Sequence, residues 1–470
     1  MPALEGLLGV ARSAIVAQRA AMDVIGHNIA NAETDGYTRQ RVELTAATPE
    51  RTPLGIFGTG VEVTTVERLR DALLDQQVRK QSGLSAGSTA RGDLLATVEG
   101  VFGEPSSSGL AASLDAFWNS WSDLASDPSN AAARVVVQQA GATVAATFNR
   151  YGNQLADLAT STRTDIGYTI GMVNELASQI AAVNAEILPA EAGGDTASDL
   201  RDERDRLIDR LSQLVSVSVI DRKNGDNQVM LDGIPLVDGS SAKSIVLGAG
   251  LPLTVNFGGI SDPVRSLGGR LGALVSVVNT DLPNVQSGLD ALTSSLIGEV
   301  NALHATGWSP PSGGAGNWNP AMPPTGSGIL FFDATPANAT ARNIRLSVSV
   351  AASSAAVAAG SILNAAGDNT IALGLAALRD VAATAPGGSF GVGYRSLIAS
   401  VATGRSNAAD TASVYHTLTQ QAIQRRQSAS GVSLDEELVS MMSHQQAYGA
   451  AAKIVQAVDS MMQTLLELKR

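Results

Sequence analysis

Carboxylates and guanidinium groups crowd one segment of this chain. Asp199-Leu-Arg-Asp-Glu-Arg-Asp-Arg-Leu-Ile-Asp-Arg210 is its densest run of charge, and paired carboxylates are the raw material of general acid–base catalysis. As a helix, the run reads differently. Leu200, Leu207, Leu211 and Leu214 recur at helical spacing. Asp202 precedes Arg206 by four residues, an order that stabilises a helix surface by about 0.2–0.5 kcal/mol. Interleaved arginines and regular leucines point to a solvated helix face rather than a cleft. The four histidines, His27, His304, His416 and His444, share no metal-ligand spacing and read as surface or helix-packing residues. His304 lies near Trp308 but has no other candidate partner nearby in sequence. There is no phosphate-cradling Gly-rich loop, no Gly-x-Ser-x-Gly elbow and no His-Glu-x-x-His. The chain has no cysteine, which excludes disulfides, thiolate zinc sites and cysteine nucleophiles. Nothing here implies a catalytic residue, a cofactor or a metal.

Composition points to packing instead. The 470 residues are enough for two to four domains, and 44% are hydrophobic while 16% are charged and 4% aromatic. Small residues dominate, which suits long helices packed through thin interfaces. A net charge of −12, with no block of Lys or Arg, argues against nucleic acid and against an anionic membrane surface. No basic region precedes an apolar core at the N-terminus, so no signal peptide is expected. No apolar run approaches a membrane span; the Ala-rich stretch near 350–359 is short and carries serines. The expectation is a soluble protein.

One stretch organises the rest. Leu4, Leu8, Ala11, Ile15, Gln18, Met22, Ile25 and Ile29 alternate steps of four and three, a heptad seam interrupted by Gln18. The run Asn28-Ile-Ala-Asn31-Ala-Glu-Thr34-Asp-Gly36-Tyr37-Thr-Arg39 then stops the helix. Asn31, Thr34 and Asp35 can bond nearby backbone, and Asp35-Gly36 is a strong turn signal. At the other end, Leu434, Leu438, Met441, Tyr448, Ala452, Val455, Met462 and Leu466 follow a similar seam. Val439, Met442, Ile454, Val458, Met461, Leu465 and Leu468 cover its other sides. A helix apolar on most faces must be buried on most faces, and two terminal helices alone cannot achieve that. Neighbouring subunits are the natural cover.

Between the ends, 41–67 reads as an extended, hairpin-like excursion beside the terminal helix, with Pro49, Pro53, Gly55, Gly58 and Gly60 at its bends. From 69 to 182 the pattern is mostly helical. Leu114, Phe117, Trp118, Trp121 and Leu124 form one heavy apolar stripe, and the spacing makes the tryptophans core. Asp127-Pro128-Ser129-Asn130 should end that helix and cap the next. Thr169, Val173, Leu176, Ile180, Val183 and Ile187 continue the seam until Pro189 and Gly193-Gly194. Val215–Ile220 alternates with period two, Lys223–Asn227 reads as a hairpin turn, and short strands follow to 257. A leucine-rich seam spans 271–303, which Pro283 should kink or divide. Trp308–Gly328 is a loop, and Ile329–Phe332 and Ile344–Val350 read as strands joining the β region. The stretch 351–385 reads as short helices and turns, and 390–426 is helical again.

The N-terminal run resembles the signature of the bacterial flagellar rod, hook and hook-associated axial proteins. Gly431-Val-Ser-Leu-Asp-Glu-Glu437, His444-Gln-Gln-Ala-Tyr448 and Ala451-Ala-Lys-Ile-Val455, closing on Met461–Leu466, are similar to the same family's C-terminal helix. The charged run and Asn301-Ala-Leu-His-Ala-Thr-Gly307 resemble the hook-associated members. The resemblance implies a mainly α chain with a β insert, whose N- and C-terminal helices pair as a coiled coil. The expected units are a terminal domain (1–40 and 432–470), a helical bundle (41–214, 268–304 and 351–431) and an inserted β domain (215–267 with 305–350). It implies a structural subunit at the hook–filament junction, exported by the flagellar type III apparatus to the cell exterior. Its expected partners are further copies in a tube, the hook protein on one side, the next hook-associated protein on the other and an export chaperone. The residues assigned to subunit contact are Leu4, Leu8, Ile15, Met22, Ile25, Asn28, Ile29, Asn31, Thr34, Gly36, Tyr37 and Arg39, with Leu434, Leu438, Met441, Tyr448, Ile454, Val455, Met462 and Leu466. Two readings compete: a hook or distal-rod protein, against which the long helical middle argues, and an enzyme such as a wall hydrolase, which would need a carboxylate in a cleft.

Overall fold

A computed structural model describes residues 2–52, 55–193, 196–222, 225–260, 262–308, 327–363, 365–380 and 388–467. The chain opens with helix α1 (Pro2–Ala30). A two-tiered antiparallel hairpin follows, β1 (Gln40–Ala46) pairing β4 (Val61–Arg68) and β2 (Glu50–Thr52) pairing β3 (Gly55–Phe57). The hairpin lies against α1, where the Val61 N–H donates to Ser13 Oγ (3.2 Å). Helices α2 (Ala72–Phe102), α3 (Leu110–Ser126), α4 (Ala131–Ala190) and α5 (Ser198–Leu214) come next. Asp71 caps α2, accepting from the Leu73 and Leu74 N–H groups. Asn130 caps α4 in the same way, through Ala132 and Ala133, so the Asp127–Asn130 signal ends one helix and starts the next. At 60 residues, α4 is about 90 Å long.

An antiparallel meander follows, in order β5 (Val217–Asp221), β6 (Asn227–Leu231), β7 (Ile234–Asp238) and β8 (Ser241–Ala242). Beside it pair β9 (Ile245–Leu247) and β10 (Val255–Phe257). Helix α6 (Gly269–Ser276) passes through one π turn, Val277–Asp281, into α7 (Leu282–His304). The turn falls just before Pro283, which has no N–H to continue the α ladder. The short α8 (Val348–Ala352) and α9 (Thr370–Ala377) lead to α10 (Phe390–Ser430), which runs antiparallel along α2. Arg405 there pairs with Glu99 (2.7 Å) and Arg426 with Asp75 (3.5 Å). The chain closes on α11 (Leu434–Glu467).

Two hydrophobic cores share the rod of α4. The first gathers Phe117, Trp118 and Trp121 of α3 with Val144 and Phe148 of α4, Leu289 and Leu296 of α7, and Phe390 and Tyr394 of α10. The second packs Ile170, Val173 and Ile180 of α4 and Leu207, Ile208 and Leu211 of α5 under Val229, Leu231, Leu236 and Phe257 of the sheet. The segment 329–350 departs from the sequence expectation. It joins the first core, not the sheet: Phe331, Phe332, Ala341 and Ile344 are buried there, and its strand character is one bridge, Phe332 to Leu346. Gly141 of α4 makes this approach possible, since a Cβ at that position would overlap the Phe331 ring. Asn301 fastens the segment, bonding the Phe331 and Phe332 N–H groups (2.9 Å each) and the Phe332 carbonyl (2.9 Å). His304 does likewise, its Nδ1 donating to the Ile329 carbonyl (2.7 Å) and its Nε2 accepting from Ala358 N–H (3.0 Å). Of the loop read at Trp308–Gly328, residues 309–326 lie outside the described residues. So do Pro53, Gly194, Lys223, Asn224, Leu468 and 381–387.

Candidate functional site

The two ends of the chain meet at α1 and α11, which pack together. They run antiparallel: Asn28 pairs with Glu437 near one end of the contact, and Gln18 Oε1 meets His444 Nδ1 (2.5 Å) further along. The residue that interrupts the sequence seam is thus a polar contact between the two helices. The buried face of α1 is narrow and alanine-rich: Ala11, Ala17, Ala21, Ile25 and Asn28. The line Leu4, Ala11, Gln18 and Ile25 faces inward or partly so, as the heptad predicts. Leu8 is 43% exposed, and Ile15, Met22 and Ile29 are half-buried at the flank. On α11 the inward line is Glu437, His444, Ala451 and Val458, at steps of seven. Leu434, Leu438, Tyr448, Ile454, Met462 and Leu466 are exposed, with Met441 and Val455 half-buried. Small side chains let two helix axes approach closely, so the contact within the chain takes the alanines and leaves the large residues outside.

Where α1 ends, Asn28 is 1% exposed and every hydrogen-bonding position of its amide is filled. Its Nδ2 donates to the Gln40 carbonyl (2.9 Å) and to Glu437 Oε2 (3.0 Å). Its Oδ1 accepts from Gln40 N–H (2.9 Å) and from the Tyr37 hydroxyl (2.8 Å). Three elements, α1, β1 and α11, therefore close on one side chain. Tyr37 spends its proton on Asn28, so His27 Nδ1, 3.1 Å away, is the donor to the phenol oxygen. Burial, with Asp199, Asp202 and Glu437 nearby, raises the Tyr37 pKa well above that of an ordinary tyrosine, and it remains a donor. Arg39 grips the first turn of α11 through Glu436 (2.8 Å) and Glu437 (2.6 Å), and its N–H donates to the Ser430 carbonyl (2.9 Å). Asn31 and Thr34 finish α1, Asn31 Nδ2 donating to the His27 carbonyl (3.0 Å) and Thr34 Oγ1 to Asn31 Oδ1 (3.2 Å). Gly36 has φ +77°, and a Cβ there would overlap the aliphatic part of Arg206. Asn28, Tyr37 and Arg39 thus have their partners inside the chain, while Thr34 and Gly36 are exposed.

The charged helix α5 is not the solvated face its sequence suggested. Asp202 and Arg204 are buried, and three carboxylates one turn apart form the floor beneath the terminal turn. Asp202 accepts from Thr38 N–H (2.9 Å) and from Arg68 (2.6 Å). Asp205 meets Arg68 (3.0 Å), Arg79 (3.3 Å) and Arg70, and Asp209 meets Arg79 (2.7 Å) and Arg426 (2.6 Å). Arg206 turns to Glu203 and the Asp35 carbonyl, so the expected Asp202–Arg206 pair does not form. On the opposite side Arg204 donates to Asn184 (3.0 Å) and the Gly225 carbonyl (2.8 Å), and burial pulls its pKa down to about 9. A cavity of about 540 Å³ lies between the turn 32–38, α5 and the end of α10. Arg70, Asp75, Asp205, Arg206, Asp209 and Arg426 in its lining are already ion-paired within the chain, while Glu33 and Asp35 of the turn line its exposed side. No cluster of three or more metal-binding side chains occurs among the described residues, and no helix there is long and apolar enough to cross a membrane. The sequence reading found the 28–39 motif but missed Gln40, Glu436 and the α5 carboxylates as its partners. The quoted Asp-Glu-Glu437 run was the one available signal.

Terminal helices folded back on each other, with this motif at the fold-back, are the arrangement that the resemblance to the axial proteins of the bacterial flagellum implies. The matching family models agree: flagella basal body rod protein at residues 8–38 and flagellar basal body rod FlgEFG protein C-terminal at 423–468. The middle is more particular, with flagellar hook-associated protein FlgK helical domain matching 95–317. Flagellar hook-associated protein 1 of Bacillus subtilis is 32% identical over 98% of this chain and 97% of its own. That of Salmonella typhimurium is 30% identical over 65% of this chain and 57% of its own. The chain belongs to the flagellar hook-associated protein 1 family. The structure of the flagellar hook junction protein FlgK from Burkholderia pseudomallei shares the fold, with a TM-score of 0.62 over 76% of this chain and all of that one, at 18% identity.

Proposed function

We propose that this chain is a structural subunit forming the junction between hook and filament, the adaptor on which the filament assembles. The observation that carries this reading is α11. Ten of its large apolar side chains are exposed, from Leu434 through Val439 (62%) to Leu466 (65%). An apolar surface of that extent on one helix marks an interaction face. The total accessible surface fits the same reading. It is 24461 Å², against about 16,500 Å² for a compact monomer of this mass. Copies of the chain arranged as a tube cover the outward faces of α1 and α11 with one another. Leu4, Leu8, Ile15, Met22, Ile29, Thr34 and the exposed α11 residues make the subunit contacts. Asn28, Tyr37 and Arg39 set the angle at which those faces are presented.

The body and the β insert face outward, toward the hook protein on one side and the next hook-associated protein on the other. The chain reaches the cell exterior through the flagellar export apparatus, held before that by an export chaperone. Its role is mechanical, with no reaction to catalyse. The helical-domain match disfavours the hook or rod alternative, since the rod-type models match only the two ends. Electron microscopy of cells lacking this gene, with an assay of the medium for filament subunit, tests the proposal. Bare hooks with filament protein leaking out are expected. Absent hooks would make it a hook or rod protein, and normal filaments would remove it from the axis.

A further inference from the structure

Helix α11 does not turn its most apolar line inward. The residues facing α1 are Glu437, His444, Ala451 and Val458, while ten large apolar side chains face solvent. Burial of apolar area alone favours a different rotation, because the adjacent line Leu434, Met441, Tyr448, Val455 and Met462, apolar at every step of seven, is left exposed or half-buried when it could lie against the alanines of α1. Something holds the helix against that preference. The inward line makes three kinds of polar contact: Glu437 with Asn28 (3.0 Å) and with Arg39 (2.6 Å), and His444 with Gln18 (2.5 Å). The first two sit at the base of the helix. The third lies two turns further on, where the contact is otherwise made by small residues that would fit several rotations equally well. A single polar pair in a heptad seam is a known way to fix one arrangement at some cost in stability.

We infer that the Gln18–His444 pair is a rotational lock that keeps the apolar face of α11 outward, available to neighbouring subunits, by denying α1 the use of it. Gln18 and His444 are positioning residues. They decide which face a neighbour meets. The inference rests on the proposed use of that face in assembly.

The chain has no cysteine, so single cysteines report cleanly in the free full-length subunit. Tyr448→Cys reports the apolar line that lies outward and Ala451→Cys the inward one. In the parent, maleimide labels position 448 quickly and 451 slowly. In Gln18→Ala/His444→Ala the order inverts: labelling at 451 rises several-fold while labelling at 448 falls. Loosening of the helix without rotation would instead raise both rates, and that result overturns the inference, as does an unchanged pattern. The exchanged pair Gln18→His/His444→Gln keeps a polar contact and restores the parental order; failure to restore it counts against the lock. Assembly is scored separately in cells carrying the alanine pair. Inverted labelling with normal filaments leaves the lock standing and contradicts the use of the outward face in assembly.

Discussion

At the scale of single residues, two side chains carry more than their size suggests. Asn28 satisfies both backbone groups of Gln40 together with Tyr37 and Glu437. Asn28→Ala strands those groups in a buried place, where each unmet partner costs about 1–3 kcal/mol. We expect the variant to lose roughly 3 kcal/mol in thermal or denaturant unfolding of the terminal region, with amides 37–41 exchanging first. His304 is the second. Burial is the main cause of its low pKa, about 4 against an ordinary 6.5, and Arg134 adds to it while the Ile329 carbonyl works the other way. The unfolded chain therefore binds the proton more readily than the folded one. The neutral ring's full stability is present above pH 6.5, falls as the pH drops toward 4, and is constant below that. The loss attributable to His304 is about 3 kcal/mol. Unfolding measured from pH 7 to pH 4 in parent and His304→Asn should show this slope in the parent and its absence in the variant. Asn28 was legible in the sequence because its motif is local. His304 was legible as a helix residue but not as a fastener, since Ile329 and Ala358 reach it from a distant stretch.

At the scale of elements, α5 teaches the most. Its charges looked like a solvated face because every arginine within the run offered a local partner. The true partners are Arg68 and Arg70 at the end of β4, Arg79 on α2 and Arg426 on α10, all more than a hundred residues away in sequence. Charge spacing within one helix cannot report such contacts. Breaking one side of a buried ion-pair network typically costs about 3–5 kcal/mol. Asp205→Asn should approach that figure in unfolding experiments, because Arg68, Arg70 and Arg79 all converge on Asp205. Raising salt should change it little, since the site is largely shielded from solvent. A loss of less than about 1 kcal/mol would mean that the network is peripheral. The strands read at 329–350 failed for a related reason. A short apolar run suits a strand or a buried extended segment equally well, and the choice was made by the close approach that Gly141 permits.

At the scale of the whole molecule, the sequence showed that the terminal helices exceed what they can bury in each other. It did not show which residues each would bury. Heptad reading ranks side chains by apolarity, whereas the α1–α11 contact selects small ones and polar pairs. The large residues that pattern reading placed in the seam are left on the outside, most plainly on α11. In the free subunit these helices have one thin partner, set against an ordering cost of about 1–2 kcal/mol per residue for backbone alone. Assembly supplies the missing cover. Amide hydrogen exchange along 2–30 and 434–467, compared between the free subunit and intact flagella, tests this most directly. The account predicts that exchange in the free chain is fastest at the end of α11 beyond Val458, and that protection along both helices rises by orders of magnitude after assembly. Equal protection in the two states would contradict it, because the apolar faces of α1 and α11 would then have no neighbour to meet.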